Sequence, residues 1–137
     1  MNCKSLGVCA ATALLIVAPT LADAFNGKRG TRVAPVNDAI FEVVGRASAD
    51  GMDYWCGAAD YARRALGAPW TARVFIAQGR AQSVTTNRKS AVQFTLNPGA
   101  AGTSSGSPSL SLNSLREGDN MTVQQAYSYC QVPRMRF

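Results

Sequence analysis

The sequence contains no histidine, and its 8 acidic residues are few beside its 14 lysines and arginines. A chain without histidine forms neither a Ser-His-Asp nor a Cys-His catalytic group, and it offers no imidazole to zinc. The carboxylates are scattered, without the regular oxygen spacing of a calcium loop. We therefore predict no catalytic residue, no metal site and no cofactor. The net charge of +6 is compatible with anionic partners.

Long apolar runs are missing too, apart from residues 6–18. This run is too short to cross a membrane comfortably. It lies between Lys4 and the small residues Ala22 and Ala24, which is the pattern of a secretory signal peptide. We predict a signal peptide over residues 1–24, with cleavage after Ala24, or alternatively after Ala22. The protein would then be periplasmic or secreted, without a membrane span.

Cysteine is rare in the chain that remains, because Cys3 and Cys9 leave with the signal peptide. Cys56 and Cys130 stay, and they do not form the Cys-x-x-Cys motif of a thioredoxin-type redox site. Two cysteines in an exported chain most simply form one disulfide. Closing so long a loop contributes roughly 4 kcal/mol in the chain-entropy model. This would be a large share of the stability of a small domain.

Residues 53–67 carry the pattern of an amphipathic helix. Asp53 is a suitable N-cap, and Gly67 is a suitable stop. Asp60 lies on the polar side, where it would pair with an arginine three or four residues later. Gly57 costs about 1 kcal/mol relative to alanine, which predicts close packing against it. The predicted apolar face consists of Trp55, Ala58, Ala59, Ala62, Ala65 and Leu66.

Alternating or β-branched apolar residues predict strands over residues 39–45, 71–77 and 90–96. The last two would form an antiparallel hairpin with a flexible tip over residues 79–89. Residues 109–112 alternate serine and leucine, which predicts an edge strand. A helix beginning near Ala39 is the alternative for the first strand.

Residues 122–130 fit either a helix or a strand. Thr122 and Gln125 match a helix capping box. In the strand alternative, alternate apolar residues would align on one face. We predict the helix, because Gln125 interrupts that strand face.

Together these elements predict an α+β domain. It would consist of a small antiparallel sheet of about four strands packed on one main helix, with a short C-terminal helix or strand and one disulfide. The single domain would span residues 36–137. A flexible arm over residues 25–35 would precede it, and a mobile Gly/Ser/Pro loop over residues 97–108 would interrupt it.

A resemblance to a known group lies in three stretches: DYWCGAADYARRALG at 53–67, TARVFIA at 71–77 and RKSAVQFTL at 88–96. They are similar to small secreted proteins of α-proteobacteria, over most of the chain that follows the signal peptide. That group has no assigned activity, so the resemblance implies a periplasmic location and adds no site residue. The predicted order of strand, helix, hairpin and strand is also similar to cystatin-like domains.

Two sets of side chains are candidate contacts for a partner. Arg80, Arg88 and Lys89 belong to the predicted hairpin tip, where they would contact an anion. Tyr54 and Tyr61 flank the apolar helix face, so we predict them to be exposed aromatic contacts, whereas the neighbouring tryptophan would anchor the core.

These features favour a non-enzymatic binding module of the cell envelope. Its partner would be another envelope protein or an anionic polymer. The alternatives are a small hydrolase that uses two carboxylates and an inhibitor of an exported hydrolase.

Overall fold

The computed structural model describes residues 24–101 and 111–134. Within them the chain is an α+β fold with one six-stranded antiparallel sheet, two α-helices and one disulfide. The strands lie in the order β1-β2-β3-β5-β4-β6. They are β1 (Phe25–Asn26), β2 (Arg32–Pro35), β3 (Ile40–Val44), β4 (Arg73–Ala81), β5 (Ala91–Thr95) and β6 (Asn120–Thr122); the helices are α1 (Gly51–Arg64) and α2 (Val123–Ser128).

Several sequence predictions fall outside the described residues. They include the signal peptide up to residue 23, most of the predicted mobile loop, and the first half of the predicted strand over 109–112. The second half of that strand prediction is wrong, because Leu112 begins a turn. The start of the predicted loop forms a short 3-10 helix at Pro98–Ala101.

The predicted flexible arm over residues 25–35 is wrong, because this segment forms β1 and β2 at one edge of the sheet. Val33 is fully buried and lies opposite Val43 in β3. The backbone N–H of Lys28 donates to the Asp60 carboxylate at 3.0 Å, which ties the segment to α1. Three of the predicted strands are present, and β1, β2 and β6 are added to them, so the sheet has six strands rather than about four. β1 and β6 have only two and three residues, too few to show a period in the sequence.

The two faces of the sheet follow from strand alternation. Phe41 and Val43 of β3 point to the same side as Phe94 of β5, and this side meets α1. Trp55 packs edge-on against Phe94 at 5.2 Å between ring centroids, and Tyr61 packs on Phe41 at 4.8 Å. The antiparallel hairpin of β4 and β5 confirms the predicted pairing, although β4 runs four residues further, to Ala81.

Helix α1 begins three residues before its predicted start. Asp50 is the N-cap, and Asp53 is the third helical residue of a reciprocal capping box: each carboxylate accepts from the other residue's backbone N–H at 3.1 Å. The helix ends at Arg64, so Leu66 leaves the apolar face and is 48% exposed. Gly67 has φ +64° and therefore turns the chain as predicted.

The polar side of α1 is buried as well, and the predicted pairing of Asp60 with an arginine four residues later is confirmed. This carboxylate is fully buried and accepts from Arg64 Nε at 2.6 Å and from Arg64 Nη2 at 2.7 Å. The N-terminal arm and the C-terminal segment cover this side of the helix, which sequence periodicity does not reveal. The hydrogen bond to Asp60 raises the pKa of the Arg64 guanidinium.

The C-terminal segment confirms the helix prediction. Thr122 is the N-cap of α2, and its Oγ1 accepts from the backbone N–H of Gln125 at 3.1 Å. The predicted disulfide between Cys56 and Cys130 joins the middle of α1 to the turn after α2. Both ends of the described chain are thus held against α1.

Candidate anion-binding cleft

A cleft of about 390 Å³ on the side of the sheet away from α1 brings together three arginines that are distant in sequence. They are Arg32, Arg46 and Arg88, and we call this site the anion cleft. Its other lining residues are Gly30, Val44, Gly45 and Thr86. Arg32 opens β2 and lies opposite Val44, the last residue of β3, which in turn pairs with Ala91 at the start of β5. Antiparallel pairing therefore gathers the three arginines at one end of three neighbouring strands.

The Arg46 guanidinium lies against Gly30. The guanidinium lies so close to the Gly30 Cα that a Cβ there would overlap Arg46 Nε and Cζ. Gly30 also has φ +73°, a conformation that L side chains rarely adopt. Glycine therefore allows both the turn and the approach of the arginine.

Arg88 is positioned through a buried carboxylate. Glu42 is fully buried on the face opposite α1, because residues 83–85 fold over it. Its oxygens accept from Ser83 Oγ at 2.8 and 2.9 Å and from the Val84 N–H at 2.9 Å. Thr86 Oγ1 donates to Ser83 Oγ and accepts from the Arg88 N–H. A continuous hydrogen-bonded chain thus leads from the sheet to Arg88.

The electrostatics of the anion cleft follow from its lining. Among the residues that the structure describes, no aspartate or glutamate lines it. The ion pairs among the described residues involve Arg29, Arg64 and Arg134, so the three cleft arginines have no carboxylate within 4 Å there. Guanidinium groups bind carboxylate, sulfate and phosphate through pairs of parallel hydrogen bonds. The arrangement is suited to an anion.

The predicted anion contacts do not stay together. Arg88 lines the anion cleft, and with Lys89 it also lines an adjoining cleft of about 260 Å³. Arg80 lies in β4 and lines neither; its guanidinium donates to the Ala49 carbonyl at 3.3 Å and lies 4.9 Å from the Tyr54 ring centroid. Sequence reasoning missed Arg32 and Arg46. The sequence did contain a signal for them: each of these arginines lies at or near the end of a strand, and the two strands are neighbours in the sheet.

The prediction that Tyr54 and Tyr61 are exposed contacts is wrong. Tyr54 is fully buried, and its hydroxyl lies 2.6 Å from Ser90 Oγ. Tyr61 is 9% exposed and packs between Phe25 and Phe41. Both rings are covered because other segments of the chain pack against more than one side of α1. Trp70, which was not singled out in the sequence, is the tryptophan that reaches the surface, with 40% exposure.

A hydrolase with two carboxylates requires two acids at one cleft, and Asp50 and Asp53 do line one together. Both are engaged in the helix cap, and Asp53 Oδ1 also accepts from Arg29 Nε at 2.6 Å and Arg134 Nη2 at 2.9 Å. We interpret this pair as a structural cluster that joins the start of α1 to the C-terminal segment.

Two general properties of the described ranges bear on ligands and location. No group of three or more histidine, cysteine, aspartate or glutamate side chains is arranged there to hold a metal ion. None of the helices in these ranges has both the length and the apolar character that crossing a bilayer requires. The disulfide fits a periplasmic or extracellular protein, because those compartments oxidise thiols.

Comparison with known proteins gives no match to a family model, to a curated protein or to a solved structure. The site therefore has to be interpreted from its own geometry.

Proposed function

We propose that this protein is an exported, non-enzymatic binding module that holds an anionic polymer of the cell envelope in the anion cleft. The observation that carries the proposal is the convergence of Arg32, Arg46 and Arg88 on one cleft that no carboxylate lines. Lys89 lies in the adjoining cleft and lengthens the positive surface. The longer surface matches a polymer that carries repeated negative charges. A polymer, rather than a single ion, would engage both clefts together.

Two observations support this proposal. The hydrogen-bonded chain from Glu42 holds the backbone of Arg88 in place before a ligand arrives, which reduces the backbone entropy lost on binding. The disulfide favours an envelope location, because the periplasm and the extracellular space oxidise thiols. The signal peptide over residues 1–24 is part of the same proposal.

The test is binding of fluorescein-labelled dextran sulfate, measured by fluorescence anisotropy, with uncharged labelled dextran as the reference. Binding should weaken steeply as salt rises from about 50 mM to about 200 mM, because each arginine releases counterions from the polymer. Arg88→Gln should weaken binding several-fold and reduce the slope of log affinity against log salt by about 0.7 to 0.9. Arg32→Gln and Arg46→Gln should act in the same direction.

Arg116→Gln is the matched control, because Arg116 is exposed, lines neither cleft, and loses the same charge. It should change affinity by less than about twofold. If Arg116→Gln and Arg88→Gln reduce the affinity equally, net charge alone attracts the polymer. The anion cleft is then not the binding site. An affinity independent of salt would favour a protein partner instead, including an exported hydrolase that this chain inhibits.

A further inference from the structure

A second groove, separate from the anion cleft, lies beside α2. It has a volume of about 440 Å³ and is lined by Trp70, Gln124, Tyr127, Ser128 and Gln131. The four residues after Trp70 recur at helical spacing, so they form one side of α2 and of the turn that follows it. We call this site the aromatic groove.

The aromatic floor of this groove is fixed in place. The Trp70 and Tyr127 rings meet edge-to-face, with centroids 5.1 Å apart. The Arg63 guanidinium lies 4.1 Å from the Trp70 ring centroid and also donates to the Ala68 carbonyl at 2.8 Å. The backbone of Trp70 is held too, because its carbonyl accepts from the Gln124 N–H at 3.1 Å. An exposed indole is thus presented rigidly, with little entropy left to lose on binding.

The polar groups of the aromatic groove are neutral and available. The carboxamides of Gln124 and Gln131 and the hydroxyl of Tyr127 make no hydrogen bond to another described residue. None of the described residues that line the groove is charged, and Arg63 is the cation that lies beside it, on the Trp70 ring. A site with an apolar aromatic floor and several neutral donors and acceptors matches a ligand that has apolar C–H faces and many hydroxyl or amide groups.

We infer that the aromatic groove binds a neutral glycan chain. A pyranose ring has an apolar C–H face for the Trp70 and Tyr127 rings and an equatorial rim of hydroxyls for the carboxamides. Acetamido groups on the sugar would pair with Gln124 and Gln131 through complementary amide hydrogen bonds. A nucleic acid or an acidic peptide fits less well, because the described lining residues are uncharged and the neighbouring Arg63 guanidinium is engaged by the Trp70 ring and the Ala68 carbonyl. The inference is independent of the anion cleft, with which this groove shares no residue.

The experiment titrates the full-length mature protein with the tetramer of N-acetylglucosamine and with cellotetraose, followed by calorimetry and by tryptophan fluorescence. Trp55 is 2% exposed and Trp70 is 40% exposed, so a ligand in the groove should change the emission of Trp70. At least one tetramer should bind, with little change between about 50 mM and about 200 mM salt. Trp70→Ala should weaken binding about tenfold or more, and the double change Gln124→Ala with Gln131→Ala several-fold.

Three comparisons keep the outcome decisive. Leu66→Ala removes an exposed apolar side chain outside the groove and should leave binding unchanged. The glutamine variants change only exposed side chains, so they remain informative if Trp70→Ala is destabilised. Arg88→Gln should bind the tetramer normally, which separates this site from the proposed anion function. The inference is overturned if neither tetramer binds at about 10 mM, or if the groove variants bind like the wild type.

Discussion

Glu42 Oε1 and Ser83 Oγ lie 2.8 Å apart, and both residues are buried although they are on the face of the sheet away from α1. Glu42→Gln replaces one acceptor oxygen by a donor that faces the Ser83 hydroxyl and the loop amides. We expect a loss of roughly 2 kcal/mol in the free energy of unfolding. The variant should also bind dextran sulfate less tightly, because Arg88 follows this loop.

Urea unfolding and the anisotropy assay measure these two effects. Asp38→Asn, at an exposed carboxylate, is the control and should stay within about 0.5 kcal/mol of the wild type. If Glu42→Gln unfolds like the wild type, the buried carboxylate does not hold the loop.

The disulfide should account for a large part of the stability. Replacing Cys56 and Cys130 together by alanine should lower the free energy of unfolding by about 4 kcal/mol, because the unfolded chain regains the freedom of a 74-residue separation. The intact mass of the native protein, alkylated without reduction, should show no alkyl group. Two alkyl groups would mean that the bond is absent in the exported protein.

Gly57 of α1 packs closely against Thr31 and Val43. A Cβ at this position would lie 2.6 Å from Thr31 Oγ1 and 2.8 Å from Val43 Cγ1. Gly57→Ala should therefore destabilise the protein by about 2 kcal/mol in urea unfolding, despite the better helix propensity of alanine. Gly67→Asn is the control: no atom lies within 4 Å of its Cβ position, and asparagine tolerates a positive φ. A stabilised Gly57→Ala variant would contradict this packing.

Asp53 is shared by two arginines of very different exposure. The Arg29 side chain is 7% exposed and that of Arg134 is 40% exposed. Asp53→Asn leaves the buried Arg29 guanidinium without its counterion, so we expect a loss of about 3 kcal/mol. Arg134→Gln should cost less than about 1 kcal/mol, because its ion pair is partly solvated. Equal costs for the two variants would mean that Arg29 does not depend on this carboxylate.

Tyr61 should make the protein sensitive to alkali. Burial raises the pKa of its phenol above 10.0, so above about pH 10 the unfolded chain loses this proton first and binds fewer protons than the folded chain. Stability present at lower pH is then lost as pH rises toward the folded pKa. Tyr61→Phe should match the wild type within about 0.5 kcal/mol at pH 7 and lose less stability above about pH 10. Parallel pH profiles of urea unfolding would contradict this assignment.

Sequence patterns correctly predicted the helices and strands that depend mainly on residues close together in the chain. The alternation over residues 71–77 and 90–96 predicted the central hairpin, and the Thr122 and Gln125 pair predicted α2, because neighbouring residues decide strand faces and helix caps. With Cys3 and Cys9 assigned to the predicted signal peptide, the cysteine count left one pairing, and the structure contains it. Gly57 in α1 correctly predicted close packing against this part of the helix.

Local sequence patterns did not predict the burial of residues that pack against distant segments of the chain. Tyr54 and Tyr61 flank the apolar side of α1, and segments distant in sequence make them buried: Ser90 and Arg80 contact Tyr54, and Phe25 and Phe41 pack on Tyr61. Leu66 continues the helical period but lies beyond the end of the helix. The start of α1 was misplaced by three residues because Asp50 and Asp53 cap each other.

The sequence by itself determined the α+β class, the central hairpin, both helices and the disulfide, since each rests on short-range periodicity, capping or the number of cysteines. Only the tertiary structure decided the edge strands, the buried Glu42 and the two candidate sites. The anion cleft unites residues 32, 46 and 88, and the aromatic groove unites residue 70 with α2. Strand order and the packing of chain segments set those distances, and neither leaves a periodic signal in the sequence.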